Sequence, residues 1–558
     1  MPPFLPFFLL ALLMPFVPRR YRPALLLAAP VVGGLVLVSA PENASWSLHV
    51  FDYALEPVRF DRLSLLFGYL FNLAAFIAAL FSWHVRDPVQ QASGLLYPGS
   101  ALGAVFAGDL LTLFVFWELM ALTSVFLVWA RGTDRAYRSG LRYLVIQVVS
   151  GLLLLSGALV YVHQTGTLTF GYIGLEGLAA WLIFLAFGIK CAFPLLHNWL
   201  TDAYPEATPT GTVFLSAFTT KTAIYALARG FPGTELLVYI GVVMTCFPIF
   251  YAVIENDLRR VLAYSMINQL GFMVCGIGIG TALAVNGAVA HAFNDVIFKG
   301  LLMMSMGAVL HMTGRINGSE LGGLYKTMPV TTCLCIVGAA SISAFPLFSG
   351  FVSKSMVMSA ALEEGYHGIW LGLLFASAGV FHHAGIKIPF FAFFAHDSGI
   401  RVSEPPKNML AAMFLGATLC VLIGIFPEWL YSMMPFEVTY TPYDATHVIA
   451  QLQLLFFSAL AFTWLKLSGL YPPELRSVNL DAEWIYRRAA PGLLARIGGF
   501  VGAADAAFRT RFVTHLRRAL EGIETHYGPS SVAARSWSTA GMVLCAVAAL
   551  GLVLVLVY

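Results

Sequence analysis

One carboxylate and a set of lysines sit where a lipid-facing chain should carry neither. Residues 115–124 read VFWELMALTS, so Glu118 interrupts a run otherwise built for hydrocarbon. A charged side chain at the bilayer centre costs roughly 2.5–3.5 kcal/mol on insertion scales, which marks such a residue as functional by default. Lys190, Lys221, Lys299, Lys354, Lys387 and Lys466 also fall inside apolar segments, whereas all 24 arginines lie in loops or at segment ends. Lys466 is near its segment end and reads as snorkelling to the interface. Arginine stays charged in proteins, but a buried lysine can release its proton. A lysine-only set with an acid is therefore the chemistry of a proton relay. His291 and Asp295 precede Lys299 at helical spacing, and Asp295–Lys299 at i,i+4 reads as a carboxylate–lysine pair. His382, His383 and Lys387 form a further group, read as an exit from the second half. Asp109 opens its segment and reads as a partner of the helix dipole.

These residues need helices to hold them. Of the 558 residues, 59% are hydrophobic and 11% charged, against about 25% charged in soluble domains. Apolar stretches of membrane-crossing length recur along the whole chain, which predicts an all-α polytopic membrane protein. Sixteen helices are expected, at approximately 2–17, 23–40, 61–83, 91–108, 109–130, 139–163, 177–196, 208–229, 234–255, 259–280, 283–312, 329–362, 367–394, 408–432, 447–470 and 537–557. The runs are continuous and not alternating, which excludes a membrane β-barrel. The first segment lacks a charged region before its apolar run and reads as a membrane helix, not a cleavable signal. Residues 44–60 alternate and predict a small exposed hairpin. A net charge of +3 argues against nucleic acid as a partner. The seven cysteines contain no CxxC pair, and neither GxGxxG nor a P-loop occurs, so no metal, redox cofactor or nucleotide is expected.

Alternate loops fall on two sides. One side holds 23 Lys/Arg and the other 3, which predicts a cytoplasmic basic side and both termini exterior. Pro194 stands four residues after Lys190, and Pro346 and Gly350 precede Lys354. Such breakers in membrane helices are tolerated where freed backbone groups are buried or line a wet cavity, and paired broken helices mark a transport site between repeats. The expected division is helices 1–3 with the hairpin (1–90), a first five-helix repeat (91–230), a second (231–400), two further helices (401–470), a basic amphipathic segment on the cytoplasmic surface (471–535) and a last helix (536–558). Five being odd, the repeats would be inverted, with Lys190 matching Lys354 and Lys221 matching Lys387.

FWELMALTS, FGIKCAFPLLHNWLTDAYPEATPT, FTTKTAIYALARG, ENDLRRVLAYSMINQLGF, IFKGLLMMSMGAVL and FPLFSGFVSKS occur in this order. Together they resemble the antiporter-like subunits shared by respiratory complex I and Mrp-type multisubunit cation/proton antiporters. GIKIPFFAFFAHDSG, with Lys387, is most similar to the Mrp D branch. The resemblance implies a fourteen-helix core, two inverted five-helix repeats, broken helices 7 and 12 and a hydrated polar axis. It also implies relay roles for Glu118, Lys190, Lys221, Lys299 and Lys354. The last two helices and the amphipathic stretch resemble the C-terminal end of the longest complex I antiporter-like subunit. Two positions depart: Asp295 stands where many relatives have histidine, and Gln269 where complex I members often do.

The function expected is a proton-translocating subunit of a Na⁺/K⁺–proton antiporter in a bacterial cytoplasmic membrane. It would have no catalytic chemistry of its own and would work beside other small hydrophobic subunits and lipid, with Glu118 paired to Lys190. Alternatives are a proton-pumping subunit of complex I, of a membrane-bound oxidoreductase or hydrogenase, or of a carbon-uptake complex. A non-transporting scaffold is the alternative of a different class, and the costly buried charges argue against it.

Overall fold

The computed structural model describes residues 1–50, 53–472, 474–475, 479–531, 534–535 and 537–558. Helix forms in each of the sixteen apolar segments. They are α1 (Leu5–Leu13), α2 (Arg22–Val38), α3 (Arg62–Phe81), α4 (Pro88–Phe106), α5 (Leu110–Trp129), α6 (Asp134–Thr165), α7 (Gly177–Lys190, then Asn198–Ala203), α8 (Gly211–Ala217, then Thr219–Gly230), α9 (Glu235–Ile254), α10 (Leu258–Ile279), α11 (Ala282–Thr313), α12 (Pro329–Ile342, then Ser349–Glu363), α13 (from His367–Val380 through wide turns at Phe381–Ile386 and Phe390–Phe394), α14 (Lys407–Ile425), α15 (Ala445–Leu467) and, at the C-terminal end, α17 (Thr539–Val557). Between the last two lies α16 (Ala490–Tyr527). Among the described residues, ten helices are long and apolar enough to cross a membrane by length and composition, and four apolar helices are shorter. Strands β1 (Ser45–Val50) and β2 (Tyr53–Arg59) pair antiparallel; the residues between them, 51 and 52, lie outside the described set.

The chain forms two units, Met1–Asn479 and Leu480–Tyr558. The second holds α16 and α17. Along α16, exposed Leu493, Ile497, Phe500, Phe508 and Phe512 recur at helical spacing beside Arg496, Arg509 and Arg511, making it amphipathic.

Within the first unit the architecture repeats itself with an offset of 148 residues. Asp109 caps α5 by accepting from Thr112 N at 2.7 Å, and Asp257 caps α10 by accepting from Arg259 N at 2.9 Å. Leu110 N donates to Leu168 O (2.9 Å), and Leu258 N to Ile316 O (3.2 Å). Phe170 N donates to Gly108 O and Gly318 N to Asn256 O, both at 2.8 Å. Helices α6 and α11 each run 32 residues from a threonine cap, Thr133 or Thr281, to a left-handed glycine, Gly166 or Gly314. A side-chain cap supplies an acceptor for an orphan helix N–H, and glycine adopts the left-handed stop without a Cβ penalty. The repeats are thus α4–α8 and α9–α13, and their odd helix number makes them inverted.

The two breaks carry the same four residues, AFPL, at 192–195 and 344–347. Both adopt the same backbone: φ is +62° at Ala192 and +70° at Leu195, +57° at Ala344 and +74° at Leu347. Left-handed geometry costs a non-glycine residue roughly 1–2 kcal/mol, and proline removes the N–H that would extend the first half-helix. Gly350 lets the second half of α12 approach the Ser341 carbonyl, where a Cβ would collide. Aligned on the breaks, Lys190 and Lys354 are not equivalent. Lys190 ends the half-helix before its proline, and Lys354 lies in the half-helix after.

Replacing Ala192 or Ala344 by glycine should relieve about 1–2 kcal/mol of this strain, and valine should add to it. Thermal unfolding in detergent is expected to give an unchanged or raised midpoint for each glycine variant and a lowered one for each valine variant.

Candidate functional site

Five lysines lie fully inside the first unit, with Asp295 and His291 beside them. Lys190, Lys221, Lys299, Lys387, His291 and Asp295 are 0% exposed, and Lys354 is 1% exposed. Each ammonium is satisfied differently, and in several cases by a carbonyl freed where a helix is interrupted.

Lys190 closes the first half of α7. Its Nζ donates to the Trp117 carbonyl at 2.6 Å and lies 4.8 Å from the Trp117 ring centre. Trp117 is fixed in turn, with Nε1 donating to Ser150 Oγ (3.0 Å) and that hydroxyl to Ala186 O (2.7 Å). Glu118 is half-buried, with its carboxylate against Gly151 of α6, where a Cβ would collide with Oε1. Oε1 is buried without a hydrogen-bond partner. The lysine's hydrogen bond thus goes to the backbone carbonyl of the residue before the glutamate, and the Glu118 and Lys190 charges act on each other without a direct hydrogen bond.

Lys221 follows the interruption of α8 and donates to the released Ser216 carbonyl at 3.2 Å. Its Nζ lies 2.6 Å from Asp295 Oδ2, an ion pair by distance though not a well-aligned hydrogen bond. This corrects the i,i+4 expectation. Asp295 turns from Lys299 on its own helix to Lys221 on the other repeat, and Lys299 donates to Ser265 Oγ at 2.8 Å. Helical spacing permits a pair but does not choose it over a closer partner on a neighbouring helix.

Beyond Lys299, a polar cluster joins α10, α11 and α12. His291 Nε2 meets Gln269 Oε1 (2.9 Å) and its Nδ1 meets Ser353 Oγ (3.0 Å). Asn294 Nδ2 donates to Ser353 Oγ (3.0 Å) and Ser349 O (2.8 Å). Lys354 reaches back across its own break to Ile342 O at 3.2 Å, 4.9 Å from the Phe272 ring centre. Pro194, Pro346 and Gly350 thus stand at the interruptions beside which Lys190 and Lys354 are held.

Lys387 is separate. It donates to the carbonyls of Ala252 (3.2 Å), Val253 (2.6 Å) and Glu255 (2.7 Å), and pairs with Glu474 at 3.1 Å. Burial pushes the Glu474 carboxyl up, and the Lys387 charge opposes that shift. Asp397 pairs with Lys326 and Arg401, at 2.7 and 2.6 Å. His382 stacks on Tyr471, and neighbouring His383 is buried. Asp202 takes Arg142 in a two-pronged contact at 2.8 and 3.0 Å.

Sequence reasoning missed Ser265, Ser349, Ser353, Asn294 and Trp117, whose residue types are ordinary in membrane helices. The 148-residue offset would have found some of them. Ser265 is the counterpart of Trp117, Lys299 of Gly151, Met266 of Glu118 and Asp295 of Gln147. Where the first repeat puts its acid on α5 and leaves space on α6, the second puts a neutral Met on α10 and the lysine on α11.

Breaking a buried ion pair by deleting one partner costs about 3–5 kcal/mol, whereas replacing both partners by apolar residues is often neutral. Asp295→Ala should lower the thermal midpoint, and Lys221→Met with Asp295→Leu should restore it. Gly151→Ala should displace the Glu118 carboxylate and lower the thermal midpoint in detergent.

Residues 107–382 match the family described as NADH:quinone oxidoreductase/Mrp antiporter, TM. The chain is 30% identical over 494 residues to the A-type Na(+)/H(+) antiporter subunit of Alkalihalophilus pseudofirmus, covering 75% of this chain and 60% of that protein. It is 32% identical over 285 residues to the D-type Na(+)/H(+) antiporter subunit of the same organism, covering 47% and 58%. The chain thus spans about three-fifths of these relatives. A chain in the structure of the membrane-bound sulfane sulfur reductase, an archaeal respiratory membrane complex, shares the fold with a TM-score of 0.70 at 21% identity, over 98% of both chains.

Proposed function

We propose, from the match of residues 107–382 to the family described as NADH:quinone oxidoreductase/Mrp antiporter, TM, that the chain is the proton-translocating, Mrp D-like subunit of a multisubunit Na⁺/K⁺–proton antiporter. The observation that carries this reading is the Lys221–Asp295 ion pair, which joins the two repeats in the middle of a buried lysine series. A proton held at Lys190 moves through ordered water toward Lys221. Arrival of positive charge there strengthens or breaks the Asp295 contact, because an opposite charge favours the ionised lysine and burial disfavours it. Release passes through Lys299 and the His291–Gln269–Ser353 cluster to Lys354. Glu118 sets the charge beside Lys190 without touching it, so its role is electrostatic at rest. His382, His383 and Lys387 form a second-half exit whose lysine is balanced by Glu474. Cation movement is coupled to this proton flow and runs through partner subunits. The basic loops face the cytoplasm, and both termini lie outside.

A second reading keeps the proton path and changes the driver to redox chemistry in neighbouring subunits. Its support is the fold shared along 98% of both chains with a component of a respiratory complex. Subunits that co-purify decide between them: iron–sulfur proteins favour the redox reading, and small hydrophobic subunits alone favour the antiporter.

Glu118→Ala and Lys221→Ala are each expected to abolish cation-dependent ΔpH in membrane vesicles while the complex still assembles. Full activity in both variants would remove the relay.

A further inference from the structure

Beside Lys354 lies a partly open cavity of about 160 Å³ with a mainly apolar wall, into which Lys354, Ser355, Ser359, His447 and Gln451 bring polar groups. At about 30 Å³ per water in the liquid, it has room for about five. Lys354 has three N–H donors and uses one on Ile342 O, which leaves two for water. Among the described residues no carboxylate lines the cavity, and Lys354 supplies a positive charge, so an alkali cation meets an unfavourable potential there. A proton needs only a chain of exchangeable hydrogen bonds.

That chain continues at the far wall. Ser359 Oγ lies 3.1 Å from His447 Nε2, and Tyr440 OH lies 3.3 Å from the same hydroxyl. His447 Nδ1 lies 2.7 Å from Asp444 Oδ2, and Asp444 also caps α15 by accepting from His447 N at 2.8 Å. The carboxylate stands beside Nδ1 as an ion-pair partner, not as an aligned hydrogen-bond acceptor, and Nε2 faces the Ser359 hydroxyl. His447 is 31% exposed at its side chain and Asp444 48%, so the pair stands at a boundary between cavity and surroundings.

We propose that His447, paired with Asp444, is the terminal proton-transfer residue for Lys354, and that the cavity between them is a port passing protons but not alkali cations. The inference rests on the relay reading above. The proton leaves the Lys354 ammonium for water, crosses by the Ser359 hydroxyl to His447 Nε2, and departs from the imidazolium to the exterior. No covalent bond other than N–H and O–H changes, and no electron moves.

The test uses the assembled complex in proteoliposomes with an internal pH indicator. Lys221→Ala serves as the reference for the relay. His447→Ala is expected to lower proton flux at least tenfold, and added imidazole to restore part of it, which a structural role would not allow. In a background with Cys333 and Cys545 changed to serine, Ser355→Cys is expected to be blocked by a membrane-impermeant thiol reagent from the exterior face. Wild-type flux in His447→Ala while Lys221→Ala is inactive overturns the port and leaves the relay standing. Loss of flux without imidazole rescue, together with an insensitive Ser355→Cys, also overturns it. Full flux in Lys221→Ala overturns the underlying reading instead.

Discussion

Lys221 and Asp295 meet at 2.6 Å with neither side chain exposed, and the rest of the architecture is organised around that contact. Two charges withdrawn from water repay their desolvation only when geometry and supporting polar groups are good. Support comes from the interruption of α8, which frees the Ser216 carbonyl for the same ammonium. The partners come from different repeats, so the pair forms only once both halves have folded and packed. A charge state on one side is thereby felt by the other, and that is the physical content of coupling across the molecule.

The broken helices follow from the same constraint. In hydrocarbon every backbone group must find a partner inside the protein. Interrupting a helix creates orphan carbonyls, and buried ammonium groups need acceptors. The two deficits cancel at Lys221 on Ser216 O and Lys354 on Ile342 O. Trp199 Nε1 does the same for Ile189 O beside the first break. The left-handed alanines in both AFPL segments are held by this packing, with Ala192 0% and Ala344 2% exposed.

The repeats share scaffold but not charge. Caps, crossing backbone bonds and helix lengths recur at one offset, while titratable residues do not. Gly151 makes room for Glu118 in one half, and Lys299 fills the equivalent place in the other. A duplicated frame with exchanged charges gives a line of unlike polar groups.

The helices, their order, the broken seventh and twelfth segments and the buried lysine set are legible in the amino-acid sequence. Apolar run length, proline position and the separation of arginine from lysine are local properties of the chain. Pairing was not legible. Asp295–Lys299 suits helical spacing and Glu118–Lys190 suits charge sign, yet Lys190 binds the Trp117 carbonyl and Asp295 binds Lys221. Glu474 as the partner of Lys387, and His447 at the far wall of the Lys354 cavity, belong to segments 87 and 93 residues away from those lysines. The sequence by itself determined which groups are buried, because burial follows the composition of each helix. Only the tertiary structure decided which groups touch, because a buried charge takes the nearest acceptor that packing provides, whatever its distance along the chain.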